Sequence, residues 1–261
     1  MSCTRLWISS LAAFWVISAG AAQAADLALP PPQPCCNNWY LRGDIGFSNQ
    51  QLGSLYNDNY TGYGSVTNVD KGFDSAPFFG FGIGYNVNNW LRFDVTGEYR
   101  GRANFHGLDT TQGPNGLDRY TGSKYEWTSL LNGYVDLGTW NCFTPFVGAG
   151  IGFSRNTITN FSDTSEATSA DWHSSDASKW NFAWALYAGV GYRVTDNFTI
   201  ELAYRYIDLG NATTGTMQTS YGVQPDQPPF EFRHLTSNDV RLGLRFTCCD
   251  FAPPPPLRSR D

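Results

Sequence analysis

Residues 76–100 read APFFGFGIGYNVNNWLRFDVTGEYR, and this stretch holds two segments in which apolar and polar positions alternate. In residues 79–87 aromatic and branched side chains alternate with glycine and asparagine, and in residues 91–100 apolar side chains alternate mainly with charged ones. A period of two predicts β-strands. The pair Asn88-Asn89 between the segments favours a tight turn, so the stretch predicts an antiparallel hairpin.

The same alternation recurs in six further segments. They are residues 39–49, 125–137, 144–154, 180–194, 198–206 and 235–246. Each segment has roughly the ten residues that a tilted strand needs to cross a membrane. The composition agrees, because 27 Gly, 9 Trp, 14 Tyr and 18 Phe against only 2 Met favour strands and turns.

The connections between the segments alternate between long and short. The long ones, rich in Gly, Ser, Thr, Asn and Asp, are residues 50–75, 101–124, 155–179 and 209–234, and the short ones are 88–89, 138–143 and 195–197. Long outer loops and short periplasmic turns are typical of bacterial outer-membrane barrels. We therefore predict an all-β fold, an eight-stranded antiparallel up-and-down transmembrane β-barrel with long extracellular loops.

One face of nearly every predicted strand carries charges of both signs, whereas the other face is apolar and ends in aromatic residues. A barrel in lipid turns its apolar face outward, so we expect the charges to fill the lumen as a salt-bridge network. The predicted network comprises Arg42, Asp44, Arg92, Asp94, Glu98, Arg100, Glu126, Asp136, Arg193, Glu201, Arg205, Asp239, Arg241 and Arg245. The predicted aromatic belts comprise Trp39, Trp90 and Trp140 at one end and Tyr99, Tyr125, Trp127, Trp180 and Tyr206 at the other.

The size of the predicted lumen bounds the function. Eight strands enclose only enough space for side chains, whereas aqueous porin channels have about 16 to 18 strands. A wide pore is therefore not expected. We predict an integral barrel protein with an envelope-structural and surface-exposed role, and a narrow porin for small solutes stays open as an alternative.

The beginning of the chain has the pattern of a cleaved export signal. Arg5 precedes a short apolar run, and Ala22-Gln23-Ala24 is a small-x-small cleavage pattern. No later apolar run reaches about 18 residues, so we expect no transmembrane helix. The predicted division is a signal peptide (1–24), a Pro-rich periplasmic segment (25–38), the outer-membrane barrel (39–246) and a Pro-rich periplasmic tail (247–261). A net charge of −6 gives no reason to expect nucleic-acid binding.

Four stretches resemble a known family, the outer-membrane β-barrel proteins of alphaproteobacteria. They are WYLRGDIG at 39–46, FTPFVGAG at 143–150, LAYRYIDLG at 202–210 and DVRLGLRF at 239–246. These proteins are often called outer-membrane immunogenic or porin-like proteins and are related to opacity-type adhesins. The resemblance covers about residues 37–246. It implies an abundant surface protein of a Gram-negative outer membrane, with envelope-structural and host-contact roles and no established catalytic residues.

The resemblance also implies outer-membrane lipids and lipopolysaccharide as surroundings and partners. Family members end on the aromatic residue of the last strand, whereas here Phe246 is followed by fifteen more residues. Prolines at 30–32 and 253–256 favour extended conformations outside the barrel. These ends are either stiff spacers or contacts to peptidoglycan or periplasmic proteins.

Two cysteine pairs flank the predicted barrel, Cys35-Cys36 before its first strand and Cys248-Cys249 after its last. Closing the barrel sets these strands side by side, so both pairs are expected at the periplasmic rim. The periplasm is oxidising, and we predict one or two disulfides that clamp the seam. Free or vicinally bonded thiols are an alternative, and a zinc site formed by the four thiols is another.

The histidines offer the only starting point for catalysis. They are His106, His173 and His234, all in or beside predicted outer loops. Ser174, Ser175 and Asp171 lie next to His173, so a His–Ser dyad is arithmetically possible. No pattern fixes a nucleophile in a strand-turn geometry, and we predict neither an enzyme nor a metal or cofactor. A lipid A acyl-modifying enzyme is the alternative.

Overall fold

The computed structural model describes residues 38–58, 66–111, 116–165, 171–219 and 227–247, and these ranges contain eleven strands. The strands are β1 (Trp39–Tyr56), β2 (Val66–Phe73), β3 (Ala76–Asn86), β4 (Leu91–Thr111), β5 (Leu117–Asp136), β6 (Phe143–Ser165), β7 (Asp171–Ser174), β8 (Ala177–Arg193), β9 (Phe198–Thr213), β10 (Met217–Thr219) and β11 (Glu231–Thr247). In the same ranges no helix has the length and hydropathy needed to cross a bilayer.

Eight of these strands close into a ring in the order β1, β3, β4, β5, β6, β8, β9, β11 and back to β1. All neighbouring pairs are antiparallel, and the closing ladder runs from Tyr40 opposite Thr247 to Tyr56 opposite Glu231. The other three strands continue the wall at one end, where β2 pairs with β4, β7 with β6 and β10 with β7. The predicted eight-stranded antiparallel barrel is confirmed.

The strands are longer than the alternation predicted. β4, β5 and β6 have 21, 20 and 23 residues, about twice the length needed to cross a membrane. Much of the predicted loop segments 101–124 and 155–179 is therefore strand. The extra length lies beyond the last predicted membrane residues, always at the end away from the tight turns.

The ring divides into two parts at the level where the predicted membrane residues end. The lower barrel consists of residues 39–49, 76–100, 125–154, 180–206 and 236–247. The upper barrel consists of the described parts of residues 50–75, 101–124, 155–179 and 207–235.

Short turns close the free end of the lower barrel. Asn88 Oδ1 accepts hydrogen bonds from the backbone nitrogens of Trp90 and Leu91 at 2.9 and 2.8 Å, which fixes the turn between β3 and β4. Asn141 and Cys142 take φ values of 47° and 73°, and this left-handed backbone reverses the chain between β5 and β6. The three predicted tight turns all lie at this end.

β9 departs from a regular ladder in the upper barrel. Its pairing with β8 ends at Asp208, and the next carbonyl oxygen, that of Leu209, accepts hydrogen bonds from Ser154 Oγ at 2.6 Å and Asn156 Nδ2 at 2.8 Å. Both donors lie on the buried inner face of β6. Gly210 follows with a φ of 75°. β9 thus bends inward across the inner face of β8 and reaches β6, the strand on the other side of β8.

Candidate functional site

The outer face of the lower barrel is apolar. Phe47, Phe79 and Ile151 are 69%, 60% and 56% exposed, and similar side chains surround the ring. In water so continuous an apolar surface is rare on a monomeric protein. In lipid it is the band that a membrane barrel presents to acyl chains.

Aromatic residues border this band at both ends. Trp39, Trp90 and Trp140 stand at the end with the tight turns and are 47%, 54% and 61% exposed. Indole rings in such positions lie at the level of lipid headgroups. The lower border of the band is therefore set by these three side chains.

The opposite border carries the remaining aromatic residues of the predicted belts. Trp127 and Trp180 are exposed, and the Tyr99 ring lies 4.9 Å from the Trp127 ring and 6.3 Å from that of Tyr125. Tyr206 is half-buried at the same border. The two borders place the upper barrel outside the lipid, on the side opposite the tight turns.

Ion pairs fill the interior of the lower barrel nearest the turns. The Arg42 guanidinium contacts carboxylate oxygens of Asp44 at 2.9 Å, Asp94 at 2.6 Å and Glu201 at 3.3 Å. The Glu201 carboxylate also forms ion pairs with Arg92 at 3.1 Å and Arg245 at 3.4 Å. Two further pairs complete this cluster, Arg92 with Asp136 at 3.2 Å and Arg241 with Asp44 at 3.6 Å.

A second ion cluster lies above the first. The Asp239 carboxylate forms ion pairs with the guanidinium groups of both Arg100 and Arg205, each with a nitrogen–oxygen distance of 2.8 Å. Arg100 also contacts Glu126 at 2.8 Å, and Arg205 contacts Glu98 at 2.6 Å. These five side chains are essentially inaccessible to solvent. Because each charge has an opposite partner, the cluster offsets the large cost of placing ions out of water.

One predicted member of the network is misplaced, and one member was missed. Arg193 is the last residue of β8 and is exposed, without an ion pair to any part of the chain that the structure describes, so its predicted place in the lumen is wrong. Lys124, by contrast, is fully buried and pairs with Glu126. It lies one residue before a predicted strand, in a segment predicted as loop.

Tyrosines and an asparagine tie the two charge clusters to the wall. Tyr40 donates to Asp94 at 3.0 Å, and Asn132 donates to the same carboxylate at 2.7 Å while it accepts from Tyr187 at 2.7 Å. The Arg92 guanidinium lies 4.4 Å from the centre of the Tyr134 ring. The alternation placed these residues on the inner face but did not show that they join the network.

Inward glycines make room for these side chains. A Cβ at Gly84 would lie 2.2 Å from Tyr40 Cζ, and one at Gly150 would lie 2.1 Å from Asn132 Oδ1. Any larger residue at these positions would displace a member of the polar interior. The glycine repeats in β3 and β6 are therefore part of how the lumen is filled.

The interior of the upper barrel is apolar. Its centre is an aromatic plug formed by Phe73, Phe105, Tyr120, Phe161, Phe230 and Phe232, all buried. The Phe232 ring lies 4.9 Å from that of Phe105, and the Phe161 ring lies 5.1 Å from that of Phe230. Lys124 Nζ lies 4.8 Å from the Phe73 ring, so it joins the plug to the ion clusters below.

A group of aspartates lies on the upper barrel. Burial, as the largest cause, and the negative charges of Asp118, Asp109 and Asp171 together raise the pKa of Asp163 to about 8. Burial also raises the pKa of Asp118. Among the described residues no group of three or more His, Cys, Asp or Glu side chains has the arrangement of a metal site.

His173, the histidine of the possible His–Ser dyad, and His106 lie apart on the outside of the upper barrel. His106 Nε2 is 3.7 Å from Asp74 Oδ1, and His173 Nδ1 is 3.8 Å from Asp171 Oδ2, with all four side chains about half exposed. His106 belongs to β4 and His173 to β7, and β5 and β6 lie between them in the wall.

The predicted signal peptide, both Pro-rich segments and the four flanking cysteines lie outside the described residues. β1 begins at Trp39 and β11 ends at Thr247, at the end with the tight turns. The ladder between these two strands reaches Tyr40 and Thr247. The chain therefore enters and leaves the barrel at adjacent points of the same rim.

An eight-stranded antiparallel ring with an outward apolar band, aromatic borders and an ion-filled interior defines the class of bacterial outer-membrane β-barrels. The chain belongs to the outer membrane protein beta-barrel domain family, which it matches over residues 9–224. It is therefore an outer-membrane protein of a Gram-negative cell, as predicted.

The relatives agree with this assignment. An uncharacterised protein of Brucella suis is 33% identical over 270 residues, which cover 88% of this chain and 94% of that protein. A putative adhesin of Rickettsia prowazekii is 29% identical over 214 residues, with 80% and 88% covered. The predicted place among the alphaproteobacterial outer-membrane barrels is confirmed.

The fold also matches a solved outer-membrane protein. The crystal structure of OprG from Pseudomonas aeruginosa superposes with a TM-score of 0.50 at 15% identity, covering 81% of this chain and 97% of that one. At this identity the likeness concerns the barrel alone.

Proposed function

We propose that this protein is a non-conducting, non-enzymatic barrel that contributes to envelope integrity and carries a rigid adhesive platform at the cell surface. The observation that supports it most is the continuous filling of the interior, first by ion clusters and then by the aromatic plug. The lower barrel anchors the chain in lipid. The upper barrel holds a β-structured surface above it.

The filled interior argues against the narrow porin. Buried, mutually paired arginines occupy the lumen of the lower barrel, and packed rings occupy that of the upper barrel. We expect the purified full-length protein to give no steady openings in planar bilayers. Ion-selective openings of constant size, obtained in the presence of reductant or without it, would contradict the proposal and favour the porin.

The upper barrel provides the surface for adhesion. Its outward side chains include Asn104, His106, Arg119 and Thr121, which are polar and exposed, while its packed interior keeps the wall in place. The Rickettsia prowazekii relative is described as a putative adhesin. Rigid surfaces bind with a smaller loss of conformational entropy than flexible loops.

Adhesion is measured by the retention of bacteria on epithelial monolayers under flow. We expect cells that display the full chain to be retained more than cells that display an unrelated eight-stranded barrel at equal surface density. Purified protein in nanodiscs should compete and lower retention. Equal retention of the two strains, or no competition, would remove the adhesive part of the proposal.

The alternative role in lipid A acyl modification finds no support in the histidines, which are exposed and on separate strands. We expect overexpression to leave the mass spectrum of lipid A unchanged. A new lipid A species that disappears in both His106→Ala and His173→Ala would establish the enzyme instead.

A seam clamp and a cell-wall contact complete the proposal. Cys36 and Cys248 each lie within a few residues of the rung that pairs Tyr40 with Thr247, so oxidation between the two cysteine pairs would lock this end of the closing ladder. The Pro-rich ends then extend toward peptidoglycan or periplasmic proteins. Alkylation of thiols with and without reductant, followed by peptide mapping, tests the pairing and also reports whether Cys142, at the same rim, takes part. Free thiols at all four flanking positions would contradict the clamp.

A further inference from the structure

The lipid-facing wall of the lower barrel contains a groove. It has a volume of about 600 Å³ and crosses β9, β11, β1, β3 and β4 on the outward face. Its lining is apolar and includes Ile45, Phe47, Phe79, Tyr99, Val240 and Leu242. The size is within the range of small-molecule pockets, about 300 to 1,000 Å³.

Two glycines line the floor of the groove. Gly46 lies between the outward side chains of Ile45 and Phe47 and lines the groove with its backbone, because the buried Phe78 ring occupies the inward space where its Cβ would be. Gly101 lies in a bulge of β4, where the register shifts between Arg100 and Ala103. A Cβ at Gly101 would lie 2.9 Å from the backbone oxygen of Pro77, which also lines the groove, so a larger residue there would narrow it. The exposed side chains of Phe47 and Phe79 form the more prominent parts of its lining.

The position of the groove identifies the leaflet that it faces. Tyr99, which lines the groove, belongs to the aromatic border on the side of the upper barrel. Trp39, on the same strand as Ile45, marks the opposite border. The groove therefore opens into the outer half of the bilayer, which in a Gram-negative outer membrane is built from lipopolysaccharide.

An exposed cation follows the groove along β4, on the side of the upper barrel. Arg102 follows Gly101 in the β4 bulge and is exposed, and within the described ranges no carboxylate forms an ion pair with it. A guanidinium binds phosphate through paired, charge-assisted hydrogen bonds. An apolar groove suits the acyl chains of lipid A, and a phosphate-binding side chain at its upper end suits the phosphorylated headgroup.

We propose that this groove and Arg102 form a binding site for lipid A, with one acyl chain in the groove and a phosphate on the guanidinium. The site belongs to the lower barrel and is independent of the adhesive role. A conductance or adhesion result that overturns the proposed function leaves it in place.

The full-length protein is reconstituted in phosphatidylcholine vesicles that contain diphosphoryl lipid A, extracted in mild detergent, and analysed for retained lipid A by mass spectrometry. Arg102→Gln removes the phosphate contact, and Val240→Trp fills the groove. We expect each to lower retention about tenfold, the effect of losing one charge-assisted contact or its equivalent in packing. Heat-dependent gel mobility confirms that each variant is folded.

Matched controls lie on β6, opposite β1 in the ring. Ile151→Trp enlarges an exposed lipid-facing side chain, and Arg155→Gln removes an exposed cation near Trp180. Both should retain lipid A like the wild type. The proposal is overturned if the wild type retains none, if the groove variants retain as much as the wild type, or if the β6 variants lose as much. Equal retention of phosphatidylglycerol in place of lipid A also overturns it.

Discussion

The lower and upper barrels are built from the same strands, yet their insides and outsides are reversed. Along β4, Arg100 is buried and Val95 faces outward in the lower barrel, whereas Phe105 is buried and His106 faces outward in the upper barrel. The alternation of the strand continues across the border, apart from the bulge after Arg100. What changes is the medium that surrounds the wall, lipid below and water above.

The two parts of the ring are therefore stabilised by different interactions. The interior of the lower barrel is largely ionic, with a few buried rings such as Phe78 and Phe146, so it depends on the pairing of buried ions, because an unpaired charge there cannot reach water. The upper barrel depends on packed rings, as a soluble protein does. Substitutions in the lower barrel should therefore lower stability by unpairing charges, and substitutions in the upper barrel by removing packed volume.

The largest effect is expected when an ion is removed from the lower barrel. Asp239→Leu leaves Arg100 and Arg205 without their shared carboxylate and should destabilise the barrel by about 3 to 5 kcal/mol. Urea unfolding of the protein in vesicles, followed by tryptophan fluorescence, measures the loss. The neighbouring outward substitution Val240→Leu should change stability by less than about 0.5 kcal/mol. A similar small effect for both would show that the lumen charges do not need pairing.

A smaller and more local effect is expected in the upper barrel. Phe232→Ala removes a fully buried ring from the plug and should cost about 3 kcal/mol, whereas Phe232→Leu keeps most of the volume and should cost about 1 kcal/mol. Hydrogen exchange should accelerate in β2 and in the upper halves of β4 and β6, and stay slow in the lower barrel. Equal acceleration in both parts would mean that they unfold as one unit.

The sequence predicted the lower barrel well and the upper barrel poorly, for one physical reason. In the lower barrel the outward positions are strongly apolar and the inward ones charged, so the period of two is unmistakable in residues 91–100. In the upper barrel the outward positions are mostly polar, and the segments are rich in Gly, Ser, Thr, Asn and Asp, a composition typical of loops. Strand pairing with neighbours, which a single sequence does not display, holds residues 101–111 and 155–165 in the wall.

The members of the lumen network could be predicted, but their partners could not. Arg42 meets Glu201, 159 positions away, only because the ring closes with a particular stagger of its strands. Alternation also shows on which face of the wall a side chain lies, but it does not show the position of that side chain along the barrel axis. Arg193 is on the inner face by parity, but it stands at the rim, where water takes the place of a carboxylate.

The pH dependence should differ between the two parts, and Asp163 is the group that reveals it. Its pKa is raised to about 8 in the folded protein, so between about pH 4 and pH 8 the folded state binds a proton that the unfolded state lacks. Stability of the upper barrel should therefore fall as the pH rises through this range, by up to about 1.4 kcal/mol per pH unit. Hydrogen exchange of residues 159–165 at several pH values, corrected for intrinsic rates, measures it.

Asp163→Asn cannot ionise, so it should flatten this slope and stabilise the upper barrel at pH 8. Asp74→Asn, at the exposed junction of β2 and β3, is the matched control and should leave the slope as it is. If the slope persists in Asp163→Asn, another group causes it, and Asp163 is not the origin of the difference between the two parts.

The smallest effect concerns the backbone bend that only the upper barrel contains. Gly210 has a φ of 75°, and a Cβ there would lie 2.5 Å from Asn181 Cβ, so Gly210→Ala should cost about 1 to 2 kcal/mol. In the lower barrel a Cβ at Gly97 would meet no atom within 4 Å, and Gly97→Ala should be nearly neutral. Urea unfolding compares the two variants directly. If Gly210→Ala proves as mild as Gly97→Ala, β9 can run straight alongside β8, and the crossing of its backbone to Ser154 and Asn156 is not needed to hold the upper barrel together.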